Sequence, residues 1–345
     1  MNSSPREIVQ KTLQFHYPER IARDLWLLPV AAQQYPETVK WLQEKYPSDF
    51  TGSGYYYPPS SQVKGDPHKK GFFRDEWGCE FLNLQEGIIG EVKHPLISDI
   101  ADWEKVSPPY EQLPEGNELQ RAYDIITRNY DKTDNFMMAN ICPRPWERYQ
   151  FLRGSQNSYL DLLFPQQGFE KLLKRINDFY LRELEIWVKA KVDGISFMDD
   201  WGAQSTLLIS PEMWRHYFKP IYRQYCQMAK AKGKFVFMHS DGYIQDILPD
   251  LVEIGVDAVN SQLFCMDIDE IAQSVKGKVT FWGEIDRQHI LPDPDPEAGC
   301  QAVRLLAEKL LLPEGGIIAQ LEFGAGANPE TVKAVYKEWE KYNNH

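Results

Sequence analysis

Three strand-like apolar runs, each ending in a cluster of charged or hydrogen-bonding residues, constrain this chain more than any other feature. Residues 194–198 lead into Asp199-Asp200-Trp201-Gly202-Ala203-Gln204, residues 234–238 into His239-Ser240-Asp241-Gly242, and residues 278–282 into Gly283-Glu284-Ile285-Asp286-Arg287-Gln288. An unbroken apolar run of about five residues is the pattern of a strand buried on both faces, and helical segments between such runs indicate a parallel sheet with crossover helices. In a closed (β/α)8 barrel the carboxyl ends of all strands meet at one pocket. Residues far apart in sequence then face a single ligand, which makes the chain an enzyme.

The rest of the chain agrees with one such barrel spanning residues 1–345. With 345 residues, 43% of them apolar and 26% charged, a large single core is available. The regular alternation after Gly194 predicts strands over 194–198, 234–238, 257–261, 278–282 and 316–321, with helices over 211–232, 243–254, 267–275, 296–311 and 329–342. Upstream, helices are expected over 5–14, with Ser4 as cap, over 146–163 and over 168–191, and strands over 19–28 and 136–141. Between residues 35 and 90, Tyr55-Tyr56-Tyr57-Pro58-Pro59 and Gly65-Asp66-Pro67 break any long element, and alternation over 72–84 predicts a hairpin. This stretch reads as an N-terminal elaboration folded over the catalytic end of the barrel.

A formal charge of −12 excludes nucleic acid and anionic membranes as partners. No apolar run approaches the roughly 18 residues that span a bilayer, and the first residues lack the apolar core of a secretory leader, so a cytoplasmic location is expected. Cys79, Cys142, Cys226, Cys265 and Cys300 include no C-x-x-C pair and read as reduced thiols.

Alternation along an extended chain sends Asp199 and Asp200 to opposite sides, so one can enter the pocket while the other caps a helix. His239 and Asp241, two residues apart, share a side; they can bind a metal, or the carboxylate can fix the tautomer of a catalytic imidazole. Asp199, His239 and Glu284 are the catalytic candidates. Substrate contacts are expected from Asp200, Trp201, Gln204, Gln262, Asp286, Arg287 and Gln288 at the rim, from Arg144, and from Trp77 on the hairpin as part of a lid, with structural packing as the other reading of Trp77. An acidic rim suits a cation or a neutral hydrogen-bonding substrate better than a polyanion.

These residues resemble the uroporphyrinogen decarboxylase superfamily, in particular its cobamide-dependent methyltransferase branch. The resemblance rests on Arg6-Glu7, Pro18-Glu19-Arg20, Asp75-Glu76-Trp77-Gly78, His94-Pro95-Leu96, Asp199-Asp200-Trp201-Gly202, His239-Ser240-Asp241-Gly242, Gly283-Glu284-Ile285-Asp286 and Glu322-Phe323-Gly324. It implies a (β/α)8 barrel and methyl transfer between a small substrate and a corrinoid supplied by a partner protein. The methyltransferase branch carries His-x-Cys and a second Cys near the last strand as zinc ligands. Here Asp241 stands in the first position and Leu321 or its neighbours in the second, so zinc would fall to His239, Asp241 and Glu322, a harder set than thiolates. The decarboxylases proper carry Arg-Gln-Ala-Gly-Arg near the start, which 19–26 of this chain does not. The alternatives are a decarboxylase of that type, a lyase acting on a small polar acid with Asp199 or His239 as proton donor and Arg144 or Arg287 as anchor, and a non-catalytic binding barrel.

Overall fold

The computed structural model describes residues 3–87 and 90–343. Eight strands, β1 (Ala22–Arg23), β2 (Phe50–Gly52), β3 (Phe136–Met138), β4 (Gly194–Met198), β5 (Phe235–Ser240), β6 (Ala258–Ser261), β7 (Thr280–Trp282) and β8 (Ile317–Ala319), form one sheet in the order β1-β8-β7-β6-β5-β4-β3-β2. Every neighbouring pair is parallel. Asp49, just before β2, donates its backbone N–H to the Arg23 carbonyl of β1 at 2.9 Å, which joins the two ends of the sheet. Each strand is followed in the chain by a helix, the last being Pro329–Glu340. The protein is therefore a (β/α)8 barrel, as the apolar runs predict.

The barrel interior is filled by side chains of unequal size. Phe136, Phe237, Trp282 and Ile318 share one buried cluster with Ala22 and Ala258. Gly194 completes the small set, because a Cβ there would lie 2.8 Å from both the Met138 sulfur and the Phe136 ring. Small residues on some strands thus make room for aromatic rings on others, the interdigitation that a closed barrel requires. Ile8, Val9 and Leu13 of the helix Pro5–Gln14 join the same cluster and close the barrel at the amino ends of the strands. Ser4 and Glu7 form a capping box at the start of that helix. Arg6 ties it to the barrel through Asp193 at 3.0 Å.

Several boundaries differ from the sequence reading, among them the helix expected over 211–232, which is two, Pro211–Tyr217 and Lys219–Lys230, and the strand expected over 19–28, which is two short ones, Ala22–Arg23 and Trp26–Leu27. The helix expected over 146–163 is two helices, Pro145–Arg153 and Ser155–Leu163, separated by Gly154 at φ 78°. The elaboration expected over 35–90 begins later, because the helix Pro36–Lys45 and β2 belong to the barrel wall. The breakers near Tyr55 follow a barrel strand instead of interrupting a lid. The insertion proper leaves the carboxyl end of β2 and carries a three-stranded antiparallel sheet, Gly71–Arg74, Glu80–Asn83 and Glu91–His94. No helix among the described residues is long and apolar enough to cross a membrane.

Arg148 is one of the cations that dock the insertion on the barrel flank. Arg148, 7% exposed, contacts Asp75 through Nη1, Glu76 through Nη2 at 3.2 Å, and the face of Trp77 at 5.0 Å. Trp77, expected to touch substrate, is 3% exposed and packs edge-on against Phe179 at 5.1 Å. It is a packing residue, because the helix Gln167–Trp187 offers it an apolar bed. Replacing one partner of a buried ion pair strands the other charge at a cost of about 3–5 kcal/mol. Arg148→Ala should therefore lower stability by roughly that amount, measured by urea unfolding, and speed tryptic cleavage within 69–93.

Candidate active site

Strand alternation decides which side chains reach the mouth of the barrel. Phe237 and Ala258 face inward, so His239 and Asn260, two residues further along β5 and β6, do the same and are register partners. Ile318 on β8 sets the same parity for Gln320, while Glu284 follows β7 through Gly283 at φ 70°. The loops that follow β4 and β5 are stitched together above this layer. Gly202 donates its N–H to the Asp241 carbonyl at 3.1 Å, Trp201 N–H reaches the Ser240 hydroxyl at 3.0 Å, and Asp241 N–H reaches Asp200 Oδ1 at 2.9 Å. The backbones touch: a Cβ on Gly202 would sit 2.2 Å from the Tyr243 nitrogen, and one on Gly242, at φ 75°, 2.3 Å from the Gly202 carbonyl oxygen. Only glycine fits at either position.

This apposition brings two carboxylates to one imidazole. His239 Nε2 lies 3.7 Å from Asp200 Oδ1 and 3.7 Å from Asp241 Oδ1. One potential ligand atom from each of the three residues falls within 4.8 Å of the other two. Asp241 Oδ1 is buried and has no hydrogen-bond partner. The other ring nitrogen, Nδ1, is 2.6 Å from Asn260 Oδ1. The tautomer partner that the sequence assigned to Asp241 is thus Asn260.

A second set of acids surrounds Arg287. Its guanidinium contacts Asp241 Oδ2, lies 3.3 Å from Glu322 Oε1 and 3.8 Å from Glu284 Oε1. Glu284 is 2% exposed, neither of its carboxyl oxygens has a hydrogen-bond partner, and burial raises its pKa to about 8 against the pull of Arg287. Glu322, expected as a metal ligand, is turned to Arg287, and Asp200 takes its place beside His239. Gln262 accepts the Gly242 N–H at 3.2 Å, and the Gln204 amide approaches the Cys265 sulfur at 3.6 Å. Asp286 is spent locally on the N–H groups of Gln288 and His289, at 2.6 and 2.9 Å, and Gln288 is exposed. Arg144 lies beyond β3, paired with Glu147 at 2.8 Å.

Asp199 departs from its expected role as a catalyst. It is fully buried and accepts hydrogen bonds from Trp146 N–H at 3.0 Å, Glu147 N–H at 2.7 Å and the Tyr222 hydroxyl at 2.6 Å. Of the Asp199-Asp200 pair, Asp199 is the cap, of the helix Pro145–Arg153, whose preceding residue Arg144 supplies no side-chain cap. Burial holds its carboxyl above the usual range although all three donors pull it down. Trp201, also expected at the substrate, is fully buried between Trp146, stacked at 5.8 Å, and Phe218 at 4.5 Å.

The sequence reading missed the floor of the site. Trp26 packs 5.3 Å from the His239 ring and 5.2 Å from Trp282. Both indole N–H groups donate to Asp24 Oδ2, at 3.1 and 3.0 Å. The spacing Asp24-x-Trp26 places both on one side of an extended segment, a signal that was available. Gln320 and Asn260 were hidden within apolar strands.

Glu284 carries a pH consequence. Its carboxyl ionises near the ordinary value of 4.5 when exposed and at about 8 in the folded chain. Between those values the folded chain keeps a proton that the unfolded chain has released, so this group makes stability fall as pH rises. In Glu284→Gln that component is absent, and the decline in urea-derived stability from pH 5.5 to 8 should be shallower than in the wild type by up to about 1.4 kcal/mol per pH unit.

A family model described as Uroporphyrinogen decarboxylase (URO-D) matches residues 75–342. Among solved structures, a methyltransferase from Methanosarcina mazei superposes with a TM-score of 0.68 at 15% identity, covering 99% of each chain. A putative vitamin-B12 independent methionine synthase from Listeria monocytogenes covers 93% of this chain and 95% of its own, at 11% identity and a TM-score of 0.47. Xylanase 10B from Thermotoga maritima covers 98% of each chain at 11% identity and a TM-score of 0.45. Compared with curated proteins by sequence, the chain has no match. The family model spans the insertion from Asp75 onward, every strand from β3 onward and all the acids around His239, and on that ground the chain belongs to the uroporphyrinogen decarboxylase family.

Proposed function

We propose that this protein transfers a methyl group between a small substrate and a corrinoid carried by a separate protein, with a divalent cation, zinc, held by Asp200, His239 and Asp241. The observation that supports this most is the convergence of three ligand atoms within 4.8 Å at the barrel mouth, one of which, Asp241 Oδ1, has no hydrogen-bond donor. Two carboxylates and an imidazole suit an intermediate-to-hard cation. When bound, such a cation polarises the heteroatom that carries the methyl group. The likeness in fold to a methyltransferase along the whole chain supports the same reading.

The chain's own residues have separate tasks. Arg287 holds the Asp241 and Glu322 carboxylates in place. Glu284, protonated near neutral pH, offers a proton or a hydrogen bond to a leaving heteroatom. Trp26 and Trp282 seal the pocket from below. Decarboxylation of a porphyrinogen fits the site less well, because the Arg287 guanidinium is already shared by three acids and the octa-anionic substrate would meet their charge. Two unit charges about 4 Å apart repel by roughly 4 kcal/mol at an effective dielectric of 20.

Zinc content of the purified protein after loading and dialysis tests the cation. One equivalent is expected in the wild type and in Glu322→Gln, and none in Asp200→Asn, His239→Ala or Asp241→Asn. Equal zinc in all five proteins, or none in the wild type, defeats the assignment. Methyl transfer itself is read from the loss of cob(I)alamin absorbance with a panel of methoxylated and methylated donors. His239→Ala should slow it by about 100-fold or more, and formation of coproporphyrinogen from uroporphyrinogen at an enzymatic rate would favour the decarboxylase instead.

A further inference from the structure

Asn260 is fully buried and its amide is used on both ends. The amide nitrogen donates to the Trp282 carbonyl oxygen and, at 3.1 Å, to Gln320 Oε1. A backbone carbonyl can only accept, so the Trp282 oxygen decides which end of the Asn260 amide is nitrogen. The opposite end, 2.6 Å from His239 Nδ1, is therefore the carbonyl oxygen. A carbonyl oxygen at that distance requires a proton on Nδ1, and in the neutral ring this leaves Nε2 without one.

We propose that Asn260, braced by Gln320, is a positioning residue that holds His239 in the Nδ1–H tautomer, presenting Nε2 as a bare lone pair between Asp200 and Asp241. Gln320 keeps the brace in register because its Oε1 is wedged against Gly283, where a Cβ would lie 2.0 Å from it. The relay thus crosses four neighbouring strands, from β8 through β7 and β6 to β5. In its neutral form an imidazole fixed this way is a ligand or a proton acceptor at Nε2, and it can donate a proton from that nitrogen only after taking one up there.

The use of this lone pair rests on the cation reading above, and the tautomer can be measured without it. Long-range 1H–15N spectra of 15N-labelled, zinc-free protein, recorded above the imidazole's titration, report which ring nitrogen bears the proton, and His239→Gln assigns the signals. The wild type is expected to carry it on Nδ1. Asn260→Asp keeps the acceptor and should keep that tautomer. Asn260→Leu removes it and should spread the proton over both nitrogens while zinc affinity falls about 10–100-fold. A wild-type proton on Nε2 overturns the proposal, whether or not the variants fold. So does an Asn260→Leu protein with wild-type tautomer and zinc affinity. A wild type that shows Nδ1–H and binds no zinc supports the positioning role and removes the cation reading instead.

Discussion

The site depends on the contact between Gly202 and Gly242. No side chain can be accommodated where the loops after β4 and β5 meet, since any Cβ there would fall within 2.3 Å of the opposite backbone. Because the backbones touch, Asp200 accepts from the Asp241 N–H, and the two carboxylates are fixed on either side of one imidazole. Like charges at such separations repel, and flexible loops would relieve the repulsion by moving apart. Here the backbone hydrogen bonds of Gly202 and Trp201 prevent that. The arrangement is thus held by main chain.

Arg287 is the counterweight. Its guanidinium is shared among Asp241, Glu322 and Glu284, which belong to three different strand ends. The sharing is unequal. Asp241 and Glu322 make the shorter contacts, whereas Glu284, deeper and 2% exposed, has no hydrogen bond and its pKa is raised to about 8. Burial favours the neutral acid, and the cation that opposes this makes its closer contacts elsewhere. One arginine therefore makes close contacts with two of the neighbouring acids and leaves the third to its burial.

The strands and their polar ends were legible because a parallel strand buried on both faces needs a continuous apolar run, which leaves little else for the sequence to mean. Alternation also showed that Asp199 and Asp200 part company, but not which of them meets the pocket. That was decided by the helix Pro145–Arg153, whose N–H groups lack a local cap and take Asp199 from 52 and 53 residues away in the chain. Trp77 misled for a similar reason: its bed on Phe179 and its cover by Arg148 come from elements that no local pattern connects to the hairpin. Asn260 was invisible because a lone amide within an apolar strand reads as an interruption, until the register with His239 gives it a partner.

Asp241 and Arg287 are best understood as one unit. The methyltransferases that this chain resembles place a thiolate where Asp241 stands, and a thiolate offers one atom. A carboxylate offers two, and here they are divided: Oδ2 contacts Arg287, while Oδ1 faces His239 with no partner. The guanidinium fixes the carboxylate plane, so the free oxygen is aimed without a further hydrogen bond that would compete for its lone pairs. The exchange of sulfur for oxygen at this position therefore changes more than hardness, because it couples the carboxylate beside His239 to Glu322 and Glu284 through Arg287.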